Sequence, residues 1–432
     1  MYDLTDADLR RNRFWLLFFF IYSTFSGALR KWVFIGDSGV NNVILVIQLL
    51  IPFLLVILLR RQKPLITYMP LVPYALLLVL FALNPMNLTV YHGIFGFVMH
   101  FGFWFMMFTY LNERDAFPLE KLIAPFIIIC IIQAILSFFQ FNMPILHPIN
   151  RYESGDSTSG FEGGGVRVSG TFSYIGGYAA FLYFFGLFIW ALMVEKKRNS
   201  GIILLLTGLG VLCAFMNGSR TTALAIVTFI IFGFISYGTL SNKIRLLAIV
   251  PIVIVFASIY NVGNIFPSIG NAYDAFMGRV EAGQRTGESN HRAYETVFET
   301  FDFQSQNTLF GLGLGATYQG ATQTWGVSPY IKAYGFYEEE PERILLEGGY
   351  ALLIIRALLF ILMIRQLKIP LILSIPIMFY LFFFAQMVSS TYQSIFTFWG
   401  IVILDKIYYL KSLETSSEVK PTTEGASYAA YT

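Results

Sequence analysis

The stretch NIFPSIGNAYDAFMGRVEAGQRTGESNHR, residues 264–292, opens the one long polar interval in this chain. The interval runs to about Arg343. It holds Arg279, Arg285, His291 and Arg292, then the glycines Gly311, Gly313 and Gly315, then the acidic run Glu338, Glu339, Glu340 and Glu342. On both sides lie apolar segments long enough to cross a bilayer. That contrast decides the fold class: an all-α polytopic membrane protein whose polar loop sits outside the membrane and carries the chemistry.

The composition agrees. Apolar residues make up 56% of the chain and charged residues 13%, with a mean hydropathy of +0.64. A soluble domain carries about a quarter charged residues. The net charge of +3 says little about partners. Basic residues are dispersed at segment ends rather than gathered in a patch, which argues against nucleic acid. Cys130 and Cys213 both lie in apolar spans and read as small buried hydrophobes, with no disulfide framework. Arg10, Arg11 and Arg13 precede an apolar run that continues too far for a cleavable signal.

About twelve segments have the length a bilayer core demands, roughly 20 residues each. They fall near 14–30, 40–59, 65–83, 93–111, 119–139, 172–194, 201–217, 221–239, 244–262, 344–364, 369–388 and 394–410. All read as helices, because an open sheet leaves backbone groups unpaired in lipid. The layout is one transmembrane domain over 1–411 and a tail over 412–432, rich in Ser, Thr and Glu, that reads as disordered.

Every second loop is basic. One side carries Arg10, Arg11 and Arg13, then Arg60, Arg61 and Lys63, Arg114, Lys196 to Arg198, Lys243 and Arg245, Arg365 and Lys368, and Lys406. By the positive-inside rule that side is cytoplasmic and holds both termini. The opposite side carries the large loops, about 140–171 and, between the ninth and tenth spans, 264–343. Arg30 and Lys31 break the rule at a short loop on that side, and read as interfacial anchors or lipid-phosphate contacts. Tyr294, Val297, Phe298 and Phe301 recur at helical spacing, predicting an amphipathic surface helix over about 290–302. The following NTLFGLGLGATYQG reads as a loop in which glycine permits positive φ and close backbone approach.

Arginines gather at segment ends on the loop side: Arg167, Arg220, Arg279, Arg285 and Arg292. Arg220 lies just before a helix opening Thr221-Thr222-Ala223. A guanidinium beside a helix N-terminus is unfavourable unless an anion sits between them. A phosphate satisfies both; snorkelling to headgroups is the plainer alternative. Arg356 falls inside the tenth span, as a partner for lipid phosphate or a buried carboxylate unless the boundary is displaced.

Four motifs, in order, carry a resemblance: Arg167-Val-Ser-Gly-Thr-Phe, Gly218-Ser-Arg220-Thr, Arg292 followed by Leu309-Phe-Gly-Leu-Gly-Leu-Gly, and Glu347-Gly-Gly. Together they resemble the O-antigen polymerase and O-antigen ligase family (Wzy-type polymerases, WaaL-type ligases) over roughly 165–350. The resemblance implies a GT-C-like, metal-independent glycosyltransferase of the bacterial inner membrane, with no cofactor. Such enzymes transfer a glycan from an undecaprenyl-pyrophosphate-linked donor to a sugar acceptor on the periplasmic face. Membrane lipids surround them, and flippase and chain-length regulator proteins are implied partners. Arg220 and Arg292 match the family's pyrophosphate-binding arginines and Arg167 a third basic position, with Arg279, Arg285 and His291 nearby in the same loop. Ligases carry a histidine about nine residues before the Glu-x-Gly motif. Here that stretch is Glu338-Glu-Glu-Pro-Glu-Arg343, so a polymerase fits better than a ligase. Glu338, then Glu342, become the candidate bases, unless the acidic run is a solvated face or pairs with Arg343.

Two rivals remain. Metal-dependent lipid-linked glycosyltransferases need early external carboxylates, and the first external loop offers only Asp37. A transporter or flippase of lipid-linked oligosaccharide is expected to show repeat symmetry and broken helices, and the chain shows no repeat. The layout has a direct check. A cysteine at Ser328 should react with a membrane-impermeant thiol reagent in intact cells whose outer membrane has been opened; labelling only after lysis overturns the topology.

Overall fold

A computed structural model describes residues 4–63, 71–85, 87–161, 165–195, 200–236, 267–285, 309–315, 326–327 and 340–418. Among them the chain runs as α1 (Asp6–Ala28), a π-turn (Leu29–Val33), α2 (Ser38–Leu58), α3 (Leu71–Ala82), α4 (Val90–Asn112), α5 (Ile123–Asn142), α6 (Ile175–Glu195), α7 (Ser200–Asn217), α8 (Arg220–Ser236), α9 (Pro267–Arg285), α10 (Glu340–Gln366), α11 (Leu371–Phe383) and α12 (Thr391–Glu418). The described residues contain no β-strand, only isolated bridges in the loop after α5. Each predicted span except 244–262, which lies outside the described residues, overlaps one of these helices, but α3, α8 and α11 are shorter than the spans expected there. Six of them, α2, α4, α5, α6, α7 and α10, are long and apolar enough to cross a membrane. The chain is an all-α, multi-pass membrane protein.

Lipid tails are as apolar as leucine, so helices in a bilayer associate by close packing rather than by burial from water. The interior shows this. α6 is buried along almost its whole length and packs against α8 and α12. Small residues allow the contact. A Cβ at Gly186 would press on Phe229 and Ile226, one at Gly233 on Met193 and Trp190, and one at Gly400 on Leu187. Phe20, Phe126, Phe184 and Trp399 close the space between α1, α5, α6 and α12, with Phe20 and Phe126 ring centres 4.4 Å apart. The outward faces stay apolar and exposed, as Leu80, Leu224 and Ile372 are.

One end of the bundle gathers the basic loops. Asp405 is fully buried there and accepts from Arg114 Nε and from the Tyr110 hydroxyl, both at 2.8 Å. Lys406 donates to the Arg114 carbonyl, and Asn12 donates to the Arg60 and Ala116 carbonyls. α12 does not stop near residue 410. It continues to Glu418, through the first residues of the segment expected to be disordered, and Ser412 and Thr415 return their hydroxyls to the Tyr409 and Lys411 carbonyls. Residues 419–432 lie outside the described set.

The tenth span differs most from expectation. Its helix begins at Glu340 rather than near 344 and is broken at Gly349, whose φ is 62° and ψ −163°. Arg356 Nη2 lies 2.8 Å from Glu340 Oε1, and both side chains are buried. Sixteen residues of unbroken helix would separate them by about 24 Å, more than the two side chains can span. The chain therefore folds at Gly349, and residues 340–348 lie back against the rest of α10. The break frees carbonyls, and the glycine loop takes them. Leu312 N–H donates to the Leu346 carbonyl at 2.8 Å and Gly313 N–H to the Glu347 carbonyl at 3.0 Å. The loop reading of NTLFGLGLG is borne out over 309–315: Gly311, Gly313 and Gly315 all have positive φ. A Cβ on Gly315 would stand 2.0 Å from the His92 carbonyl oxygen.

The Glu340–Arg356 pair gives a stability test. Arg356→Met strands a buried carboxylate and should cost about 3–5 kcal/mol. Adding Glu340→Gln should return most of it, because the uncompensated charge goes too. Thermal unfolding of the detergent-purified protein measures both; equal losses in the single and double variants would show that the charge pairing is not what matters.

Candidate anion and lipid site

α7 ends at Asn217 and the chain turns through Gly218, at φ +71°, into α8 at Arg220. Glycine takes that left-handed conformation without a Cβ penalty. Space demands it too, because a Cβ there would lie 2.5 Å from the Phe161 ring and 3.3 Å from Arg167 Nε. The segment around Arg167 is strapped across this turn. Val168 N–H donates to the Met216 carbonyl, Asn217 Nδ2 donates to the Val168 and Ile175 carbonyls, and Arg167 Nε donates to the Asn217 carbonyl at 3.2 Å. Ser219 and Thr222 hydroxyls meet at 2.9 Å in the first turn of α8.

α9 brings a third arginine. Its apolar side, with buried Ala272 and Phe276, packs on α7 through Phe215, at 4.9 Å between the Phe215 and Phe276 rings. Arg279 follows one turn later. Burial, together with the positive charges of Arg279 and Arg220 and against the opposing effect of Tyr152, pulls Arg167 down to about 10. It remains protonated at neutral pH. Arginines from two other stretches, Arg279 and Arg220, thus act electrostatically on Arg167, and Arg220 stands at a helix N-terminus. Like charges at close range favour an anion between them, and free N–H groups at a helix start add to the attraction.

Below Arg220 lies an apolar cleft of about 430 Å³ between α8 and α11. Leu224, Phe229 and Phe232 line one wall, and Pro376, Phe379 and Tyr380 the other. From Arg220 to Phe232 the cleft follows α8 for about 18 Å. A cation at the mouth of an apolar slot suits an amphiphile with an anionic head and a hydrocarbon tail.

The remaining candidates separate. Arg285 is exposed and pairs with Glu281 on its own helix at 3.3 Å, so it does not join the cluster. Arg292, His291 and Glu338 lie outside the described residues, as does the surface helix expected over 290–302. Glu342 is described and buried, in the first turn of α10. Glu340 is fully buried on Arg356 and also accepts from Val388 N–H at 3.0 Å. For these two glutamates the solvated-face reading is corrected: the fold at Gly349 turns this limb into the protein. Arg356 is a true interior residue with a carboxylate partner, so neither a lipid phosphate nor a displaced boundary is needed.

Two further groups escaped the sequence reading. Arg30 and Lys31 are not surface anchors. Both are buried. Arg30 reaches Ser173 Oγ at 3.2 Å and Glu153 at 2.7 Å, while Lys31 donates to Ser169 Oγ at 3.0 Å and to the Gly170 carbonyl. Burial pulls Lys31, in the π-turn past the end of α1, down to about 7. His100 Nε2 and Glu347 Oε2 lie 2.9 Å apart, both buried, joining α4 to the broken helix. A lone histidine in an apolar run and a glutamate before two glycines are the only sequence traces of that pair. Comparisons with family models, curated proteins and solved structures give no match.

The separation of Arg285 from the cluster is measurable. Arg285→Ala should change stability by less than about 1 kcal/mol and leave binding of inorganic pyrophosphate unchanged. Arg279→Ala should weaken that binding. Titration of both purified variants checks it, and equal weakening would place Arg285 in the site.

Proposed function

We propose that this protein is a polysaccharide polymerase of a bacterial inner membrane. It joins undecaprenyl-pyrophosphate-linked repeat units by metal-independent glycosyl transfer on the periplasmic face. One observation carries the reading: Arg220, whose charge together with that of Arg279 acts on Arg167, lines the top of an apolar cleft. A polyprenyl pyrophosphate has the matching parts, a hydrocarbon tail and a doubly charged head. The four sequence motifs, two of which contain Arg167 and Arg220, support the same reading.

In this mechanism the acceptor hydroxyl oxygen attacks the anomeric carbon of the donor glycan. The bond from that carbon to the phosphate oxygen breaks, and its electron pair leaves on the polyprenyl pyrophosphate. Guanidinium groups bind phosphate oxygens in pairs and stay charged, so they stabilise this leaving group as its charge develops. The hydroxyl proton passes to a base. Glu338 and Glu342 are the proposed acceptors, Glu342 being the one whose surroundings are described. Arg292 and His291 belong to the same proposed site on the strength of the resemblance. The ligase reading, transfer of finished polymer to a lipid A-core acceptor, is second because the loop histidine is missing.

A transporter reading has one observation in its favour. α10 is broken at Gly349 beside buried ionisable pairs, and discontinuous helices mark substrate sites in secondary transporters. One experiment separates the readings. Purified protein in liposomes with lipid-linked repeat units should lengthen the glycan. Arg220→Ala should lower turnover by about 10²–10³-fold, and Arg220→Lys should remain impaired because the fork is lost. Movement of the unit across the bilayer without elongation would instead establish transport.

A further inference from the structure

The arrangement at the end of α1 has no role in that mechanism, yet two basic side chains are buried there. They lie in the π-turn Leu29–Val33, closed by Phe34 N–H donating to the Leu29 carbonyl at 2.9 Å. Adjacent residues of an α-helix point about 100° apart, but both Arg30 and Lys31 reach the same short segment. Arg30 meets Ser173, and Lys31 meets Ser169 and Gly170. π-turns inserted in α-helices occur frequently at functional sites. The same end of α1 approaches the segment by backbone as well. A Cβ on Gly27 would stand 2.4 Å from Ser173 N, and the Thr171 hydroxyl donates to the Thr24 carbonyl.

We propose that Lys31 and Arg30 are positioning residues of the anion site: they staple residues 169–173 to α1 so that Arg167 keeps its place beside Arg220 and Arg279. The proposal rests on the reading of those three arginines as an anion site. Its physical basis is that the segment after Arg167 is a loop rather than a helix, so no helical ladder fixes it and side chains from neighbouring elements must hold it. Gln140 grips Gly170 through both its N–H and its carbonyl, at 2.8 and 3.0 Å, and Gln133 grips Thr171 from α5. Arg30 and Lys31 supply the opposing grip from α1.

Neutral side chains can hold a loop at lower desolvation cost than cations. An ammonium, with three donors on a long stem, reaches a hydroxyl and a carbonyl together. Lys31 does not itself bind the anion: its side chain is fully buried and its described hydrogen bonds end on Ser169 and Gly170. It acts through Arg167, two residues before Ser169. Arg30 adds a tie to Glu153 in the loop after α5, so one pair of residues in the π-turn after α1 holds both parts of the structure around Arg167.

The test uses the full-length protein in detergent, with inorganic pyrophosphate in metal-free buffer as the probe, and reads both the dissociation constant and the thermal midpoint. The parent should bind saturably and Arg167→Ala should lose binding. Lys31→Met should weaken binding about tenfold, as expected for loss of a hydrogen bond to a charged group, and in the polymerisation assay should raise the donor KM more than it lowers kcat. Asn12→Ala is the control for simple destabilisation. That side chain is buried near the opposite end of α1, on the Arg60 and Ala116 carbonyls, so it should lower the midpoint without weakening binding. If Lys31→Met does not fold, Lys31→Gln gives the same comparison with a smaller loss. Parent binding that Arg167→Ala abolishes and both Lys31 variants leave untouched overturns the positioning role alone. No saturable binding by the parent overturns the anion site and this proposal with it.

Discussion

A polar group inside an apolar bundle has no water to turn to, and much of this structure follows from finding it a partner. Glu340 and Arg356 show the consequence most fully. Each alone would be costly in the interior. They meet only because α10 folds at Gly349. The fold frees the Leu346 and Glu347 carbonyls, which are costly in their turn, and the glycine loop exists at that place to satisfy them. Its glycines are required because the loop passes so close to Asn87 and His92 that no side chain fits. One buried ion pair, one helix break and one glycine run are thus linked.

The two ends of the bundle use charge differently. Around Asp405 the charges are compensated: Arg114, Lys406 and Tyr110 close on the carboxylate and on one another's carbonyls. That end is a lock. Around Arg167 the charges of Arg220 and Arg279 act against its own, and a scaffold holds the segment in place. α7, α5 and α1 each contribute hydrogen bonds to the Arg167–Ser173 region. In the function proposed, this positive charge at the head of an apolar cleft serves to bind an anionic amphiphile.

The helices, their rough positions and the basic character of alternate loops were legible in the chain because hydropathy and end charges are local properties. Arg220 at the start of a helix was legible for the same reason: an apolar run begins just after it. The glycine loop was legible from its spacing. What escaped was always a choice of partner. Arg356 looked anomalous because its carboxylate stands sixteen residues away, across a break that no local pattern announces. Arg30 and Lys31 looked like interfacial anchors because the segment they hold lies far along the chain, at Ser169 and Ser173. Glu342 looked like a loop residue because nothing nearby signals that its limb folds inward.

By itself, then, the sequence determined an all-helical membrane protein, its alternating loops and the identity of the arginines at segment ends. The reason is that bilayer thickness, backbone hydrogen bonding and charge exclusion act on each segment separately. The tertiary structure alone decided that the charges of Arg220 and Arg279 act on Arg167, that Arg285 pairs with Glu281 on its own helix, and that an apolar cleft opens below Arg220. Those outcomes depend on how α7, α8, α9 and α11 pack, and packing is settled by close contacts between residues distant in sequence.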